Sequence, residues 1–238
     1  MLPEWQKGIV KKIVQATPNT RRYFIELPET NSFQFKPGQF VTLDLPIHEQ
    51  KNRRWRSYSI ASMPDGSNVI ELVIVLVEGG SATTYFFNEI KEGSELTLRG
   101  PHGVFVLPTE IDKDIIMICT GTGIAPFRSM LHYINIRNIP HKNLHLIFGT
   151  RKREDLLYEE EMRQLQVDLP AFQYHPTLSR EEWLGLRGYV HPVYEDLCKD
   201  KPCVDFLLCG WRVMIDEAKQ RILQLGYDKK SIHQELYG

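Results

Sequence analysis

The uninterrupted apolar run Ile115-Ile116-Met117-Ile118-Cys119 stands one residue ahead of Gly121-Thr122-Gly123-Ile124-Ala125-Pro126. Five consecutive apolar side chains suit a strand buried on both faces, the situation inside a parallel sheet. Small residues then turn the chain tightly, and Pro126 fits the first turn of a helix, where its missing N–H costs nothing. A buried strand, a glycine turn and a helix start commit the second half of the chain to alternating strands and helices. Residues 126–137 carry helical spacing at Phe127, Met130, Leu131 and Ile134. Runs at 144–148, 172–176 and 205–209 read as further strands, and 156–165 and 212–225 as helices. Strand–helix alternation of this kind predicts a doubly wound α/β domain.

The first hundred residues follow a different rule. Short β-branched or aromatic runs at 9–16, 22–27, 39–45, 56–61, 69–77 and 96–99 are separated by Thr17-Pro18-Asn19, Lys36-Pro37-Gly38 and Pro64-Asp65-Gly66. Short strands closed by Gly and Pro turns predict a small antiparallel β-barrel, which leaves no exposed sheet edge. A brief helix at 83–90 interrupts it. The change of pattern near residues 108–113 divides the chain into domains 1–108 and 109–238.

With 238 residues, 42% of them hydrophobic and 25% charged, the chain has room and apolar content for two modest cores. A net charge of −1 argues against bulk attraction to nucleic acid. No stretch reaches the roughly 18–20 apolar residues of a membrane span, and Met1-Leu2-Pro3-Glu4-Trp5 lacks signal-peptide order, so the expectation is cytoplasmic. Cys119, Cys198, Cys203 and Cys209 form neither paired C-x-x-C sets nor the C-x4-C-x2-C run of plant-type iron–sulfur proteins, so no metal is expected. Locally, Lys51, Arg53, Arg54 and Arg56 crowd around Trp55.

Two stretches gather the right atoms for nucleotide chemistry. In Arg56-Ser57-Tyr58-Ser59 a planar fork can clamp a diphosphate, an aromatic can cover a flat ring and Ser59 can hydrogen-bond a ring nitrogen. The same four residues also suit a plain edge strand. Gly121–Pro126 offers small residues that let the backbone approach a pyrophosphate, with a helix start aimed at the charge. As structure alone, it also suits any strand-to-helix turn.

Taken in order, these motifs resemble the ferredoxin–NADP reductase superfamily, whose members pass electrons between a nicotinamide and a one-electron carrier through a bound flavin. The resemblance covers nearly the whole chain. It implies FAD held by Arg56, Ser57, Tyr58 and Ser59, by Ile74 and Val75, and by Gly80, Ser81, Ala82 and Thr83 in the turn Gly79–Thr84, with Thr122 and Tyr237 also at the flavin. Thr83 stands where the family has serine. Arg99-Gly100-Pro101-His102-Gly103-Val104-Phe105 matches the G-P-x-G-x-F turn, in which His102 reads as an exposed turn residue.

The resemblance likewise implies NADP(H) held by Gly121, Thr122, Gly123, Ile124, Ala125 and Pro126, by Arg151 of a G-x-R motif, by Ser179 and Arg180 at the 2′-phosphate, by Arg187, and by Cys209 and Gly210 beside the nicotinamide. Arg187 and Tyr189 stand two residues closer to that site than in plant-type enzymes. Glu181 and Glu182 would repel a phosphate if they faced it, which keeps NADH open as the coenzyme. Trp211 replaces the usual proline after Cys209-Gly210, and Glu235-Leu236-Tyr237 matches the E-x-Y terminus.

The implied activity is an FAD-dependent reductase with Ser59, Cys209, Glu235 and Tyr237 at the hydride site. With no fused cluster or haem module in the sequence, ferredoxin, flavodoxin or another small electron carrier is the expected partner, and Lys51–Arg56 the positive patch that meets it. The rivals are an NADH-dependent reductase component for an oxygenase or cytochrome, and a non-catalytic flavin- or nucleotide-binding electron-transfer subunit.

Overall fold

A computed structural model describes residues 3–237, with Tyr237 described in its backbone only. The chain divides into two compact units, Met1–Val106 with Arg128–Met130, and Leu107–Phe127 with Leu131–Gly238.

The first unit contains β1 (Gln6–Thr17), β2 (Thr20–Glu26), β3 (Phe40–Asp44), β4 (Trp55–Ser59), β5 (Val69–Val75), helix α1 (Ser81–Asn88) and β6 (Glu95–His102). The strands form one six-stranded sheet in the order β4-β3-β6-β1-β2-β5, antiparallel throughout. Its two ends meet: Ile60 bridges Leu72, and Ala61 N–H donates to the Glu71 carbonyl at 2.8 Å. The sheet therefore closes on itself, as short turn-separated strands predicted, and the pairing groups of its end strands are partly used up.

Alternation along the strands sends Val10, Tyr23, Ile25, Val41, Leu43, Ile70, Leu72 and Leu98 into one core. Helix α1 is fastened to that core at two points. Tyr23 and Phe86 meet edge-on with centroids 5.0 Å apart, and the Tyr23 hydroxyl donates to the Phe86 carbonyl at 2.9 Å. Ring and hydroxyl of one tyrosine thus hold the helix by burial and by a hydrogen bond together.

The second unit contains β7 (Asp114–Thr120), α2 (Ile124–Arg137), β8 (Leu144–Thr150), α3 (Glu159–Asp168), β9 (Phe172–Leu178), β10 (Leu186–Arg187), α4 (His191–Leu197), β11 (Val204–Trp211), α5 (Arg212–Gln224) and β12 (Ile232–Tyr237). All pairings are parallel, in the order β10-β9-β8-β7-β11-β12. The first crossover runs β7–α2–β8 and the sheet order reverses across β7, the doubly wound arrangement that the apolar runs demanded. Ile116, Ile118, Ile147, Phe206 and Leu208 pack under Tyr194, Met214, Ile215, Ala218 and Ile222.

Four elements differ from the expectation, the first being the short strand β10, which was not foreseen. Residues 232–237 form a strand that the sequence reading did not assign; as an edge strand of mixed polarity it shows no apolar run. The short α4 also went unread. Helix α3 begins at Glu159 and not at 156, because Tyr158 takes a left-handed conformation (φ 56°) after a 3-10 turn at Arg153–Asp155. Among the described residues, no helix is long and apolar enough to cross a membrane, and no three His, Cys, Asp or Glu side chains gather to hold a metal ion.

Candidate functional site

In the first unit, β4 carries the Arg-Ser-Tyr-Ser quartet, and alternation splits it. Arg56 and Tyr58 share one face, while Ser57 and Ser59 lie on the other. Arg56 Nη1 donates to the carbonyls of Arg53 and Trp55 at 3.0 and 2.8 Å, which fixes the fork over its own strand. The Tyr58 ring meets Phe86 edge-on at 5.7 Å, joining β4 to α1. Burial pushes the Tyr58 hydroxyl well above the ordinary phenol range, with Arg56 opposing the shift, so Tyr58 remains neutral.

Helix α1 starts without a side-chain cap: Gly79 is left-handed (φ 72°), Gly80 is the N-cap, and no side chain covers the first turn. The N–H groups of Ser81, Ala82 and Thr83, which a helix cannot satisfy internally, are the donors of that turn. Thr83 Oγ1 accepts from Val77 N–H at 3.1 Å and donates to the Gly80 carbonyl at 3.1 Å, so this hydroxyl shapes the turn. A guanidinium, a row of backbone N–H groups at a helix N-terminus and a neutral aromatic are each groups of the kind that a flavin diphosphate and ring require. Ile74 is 1% exposed, its side chain inside the barrel, so only its backbone, on a strand at the end of the sheet, is placed to meet a ligand.

Ser59 is 4% exposed and pairs with Phe40, which on its other side pairs with His102. His102 is therefore not a free turn residue: it ends β6, lies against the Phe40 ring at 5.7 Å, and its Nε2 is closed off from water. Burial lowers its tendency to take a proton, with Arg99 adding to the effect. The basic cluster also resolves differently from its sequence order. Arg54 pairs with Asp44 at 2.7 Å, and the cation stacked on Trp55 is Arg99, held between Trp5 and Trp55 at 4.6 Å from each ring. Lys51 and Arg53 are the exposed members.

In the second unit the glycine turn has two separate steric reasons. Gly121 is left-handed (φ 54°), a conformation that favours glycine. At Gly123 a Cβ would stand 2.4 Å from the Cys209 carbonyl oxygen and 2.9 Å from Gly210 Cα. The turn is thus pressed backbone to backbone against the end of β11, and only a glycine allows it. Helix α2 begins directly afterwards without a side-chain cap; Ile124 N–H donates to the carbonyls of Gly121 and Thr122, and Pro126 in the first turn has no N–H to satisfy.

Around Ser179 and Arg180, the Ser179 N–H and hydroxyl both donate to the Thr150 carbonyl at 3.0 and 3.2 Å, and Arg180 N–H donates to Arg151 at 2.9 Å. The ends of β8 and β9 are so tied together. Lys152, Glu154, Arg180 and Glu181 line a cavity of about 320 Å³ there. Lys152 was missed in the sequence; its signal was its place just after Thr150-Arg151. Of the two acids feared there, Glu181 accepts from Arg153 N–H at 2.9 Å and lines the cavity, while Glu182 pairs with Arg187 at 3.5 Å. Arg187 is held there, its Nε donating to the Trp183 carbonyl at 3.2 Å.

The unforeseen strand β12 brings two expected residues together. Cys209 is in register with Glu235 on one side and with Cys119 on the other, so the three stand in one cross-strand row. Cys209 is 0% exposed, and burial raises the Cys119 thiol well above its ordinary value with Cys209 adding to it. Tyr237 is paired through its backbone with Trp211; the expectation that its ring covers a flavin lies outside the described residues.

The chain matches two family models, an oxidoreductase FAD-binding domain over residues 7–107 and an oxidoreductase NAD-binding domain over residues 117–220. It is 33% identical over 230 residues to ferredoxin–NADP reductase B of Sorangium cellulosum, covering 93% of each chain. It is 30% identical over 235 residues to the glycine betaine monooxygenase reductase subunit of Pseudomonas aeruginosa, covering 95% of this chain but only 63% of that one. Among solved structures it resembles a ferredoxin NADP+ reductase from Neisseria gonorrhoeae with bound FAD and NADP, at a TM-score of 0.82 and 25% identity over 98% of each chain.

Replacing Gly123 with alanine will drive a methyl group into the Cys209 carbonyl and push the turn off β11. Dinucleotide affinity, measured by calorimetric titration, is expected to fall at least tenfold together with a lower melting temperature. A variant that binds as the wild type does would show that the turn tolerates the displacement and does not grip the ligand.

Proposed function

Because the chain belongs to the ferredoxin–NADP reductase superfamily, we propose that it takes electrons from NADPH and delivers them singly to a small carrier, ferredoxin or flavodoxin foremost. It is an NAD(P)H-dependent flavoprotein reductase, with an FAD-binding domain followed by an NAD-binding one. The bound flavin supplies the chemistry, accepting a hydride and giving electrons up one at a time. What this chain's residues contribute is position, charge and the exclusion of water.

In this reading Arg56 and the first N–H groups of α1 neutralise the FAD diphosphate, Tyr58 covers the ring, and Ser59 offers a hydroxyl to a ring nitrogen. The peptide groups of Ile74 and Val75 complete the cradle, with Ser57, Gly80, Ser81, Ala82 and Thr83 assigned to it as well. The coenzyme diphosphate rests on Gly121–Pro126, with Arg151, Arg187 and Gly210 as further contacts. Cys209 and Glu235, side by side in register at the end of β11 and on β12, border the nicotinamide.

Preference for NADPH is carried by one observation: Arg180, with Lys152, lines a cavity beside Ser179. Two cations there suit a 2′-phosphate. The acids of the same cavity favour a second reading, an NADH-dependent reductase component of the kind named among the relatives. Arg180→Ala separates the two: the Michaelis constant for NADPH is expected to rise about tenfold with that for NADH almost unchanged. An equal effect on both coenzymes, or none, would move the assignment to NADH.

For the flavin, Arg56→Ala removes charge-assisted bonds worth about 1.5–3 kcal/mol, weakening FAD roughly 10- to 150-fold. Full retention of yellow cofactor after gel filtration and dialysis would remove Arg56 from the site. For the carrier, the exposed Lys51 and Arg53 supply the positive charge that an acidic partner meets. The double reversal Lys51→Glu, Arg53→Glu is expected to slow NADPH-driven reduction of ferredoxin and flavodoxin severalfold at low salt and leave ferricyanide reduction intact. Rates that stay equal for all three acceptors would place the docking surface elsewhere.

A further inference from the structure

We infer that Trp211 is a coenzyme-contacting residue whose indole N–H donates to the diphosphate of the bound nicotinamide dinucleotide, an inference that rests on reading Gly121–Pro126 as the dinucleotide turn. Trp211 ends β11 and stands as the N-cap of α5, with its own backbone N–H directed at Thr120 Oγ1 at 3.4 Å. The residue is thereby anchored by its main chain to the strand that feeds the turn. Its ring is not used by the core: it is 55% exposed and absent from the cluster that packs beneath α5.

The indole's position follows from the left-handed glycine. On the open side of Gly121, where a side chain would project, the one group within 4 Å is Trp211 Nε1, at 3.8 Å. A nitrogen that only donates is thus held at the rim of the turn, with the positive end of the α2 dipole directly after it. Among the described residues no acceptor meets it. An indole N–H that meets no acceptor, beside the N-terminus of a helix, suits an anionic occupant such as a diphosphate bridge.

Placement at the bridge separates Trp211 from Arg180. The bridge is common to NADPH and NADH, so loss of the indole N–H must weaken both equally. Phenylalanine keeps an aromatic ring and removes the donor; alanine removes both. The FAD-loaded protein would be titrated calorimetrically with NADP+, NAD+, 2′-phospho-ADP-ribose, which contains the bridge without nicotinamide, and adenosine 2′,5′-bisphosphate, which lacks the bridge.

Trp211→Phe is expected to weaken the first three about tenfold, in line with the loss of a hydrogen bond to a charged group, and to leave the bisphosphate, the flavin content and the melting temperature unchanged. Wild-type affinity in Trp211→Phe with loss only in Trp211→Ala would mean that the ring face matters and the N–H does not, overturning the inference. So would an unchanged affinity in both variants while the wild type binds. If the wild type binds the bisphosphate but none of the three bridge-containing ligands, the reading of the turn itself fails, and the role of Trp211 with it.

Discussion

The close backbone approach of Gly123 to the Cys209 carbonyl constrains how the glycine turn can sit at the end of β11. Because a methyl group could not fit, the glycine turn and the end of β11 behave as one rigid piece. Helix α2 takes its origin from that piece, so the direction of its N-terminal N–H groups is fixed by it. Register then carries the position outward, from Cys209 to Glu235 on β12 and to Cys119 on β7. Groups with quite different chemistry are located by a single steric contact.

In the first unit the corresponding constraint is closure of the sheet. The bridge from Ile60 to Leu72 comes one residue after Ser59, so the Arg56–Ser59 quartet lies where β4 completes the ring of strands. Tyr23 and Phe86 fasten α1 to the same core, and Tyr58 touches Phe86 from β4. Helix α1 and strand β4 therefore meet on one aromatic side chain.

The parts of this arrangement that were legible in the sequence are those in which burial writes itself as a pattern. Five apolar residues in a row marked β7, and two glycines with a proline marked the turn that follows. Residues 232–237 left no such mark, because a strand at the sheet's edge alternates polar and apolar residues much as a solvated tail does. Among the candidate site residues, type and spacing singled out Arg56, Tyr58 and Arg180. They did not reveal that Glu182 is spent on Arg187, that Arg54 is spent on Asp44, or that Arg99 and not a neighbour in sequence stacks on Trp55. Such pairings depend on which strands adjoin, and a linear motif holds no information about adjacency. His102 was misjudged for the same reason: its surroundings come from β3, some sixty residues earlier in the chain.

The position of β12 has a practical consequence. It is the strand that covers the outer edge of β11, whose side chains from Phe206 to Cys209 are among the most thoroughly buried in the molecule. Glu235 thus belongs to a segment that also shields an apolar strand from pairing with another chain. Shortening or tagging the protein at this end would put an open, greasy sheet edge into solution. Turnover lost after such a change could arise from clumped protein as easily as from a missing carboxylate, so light scattering belongs beside every rate measured on a C-terminal variant.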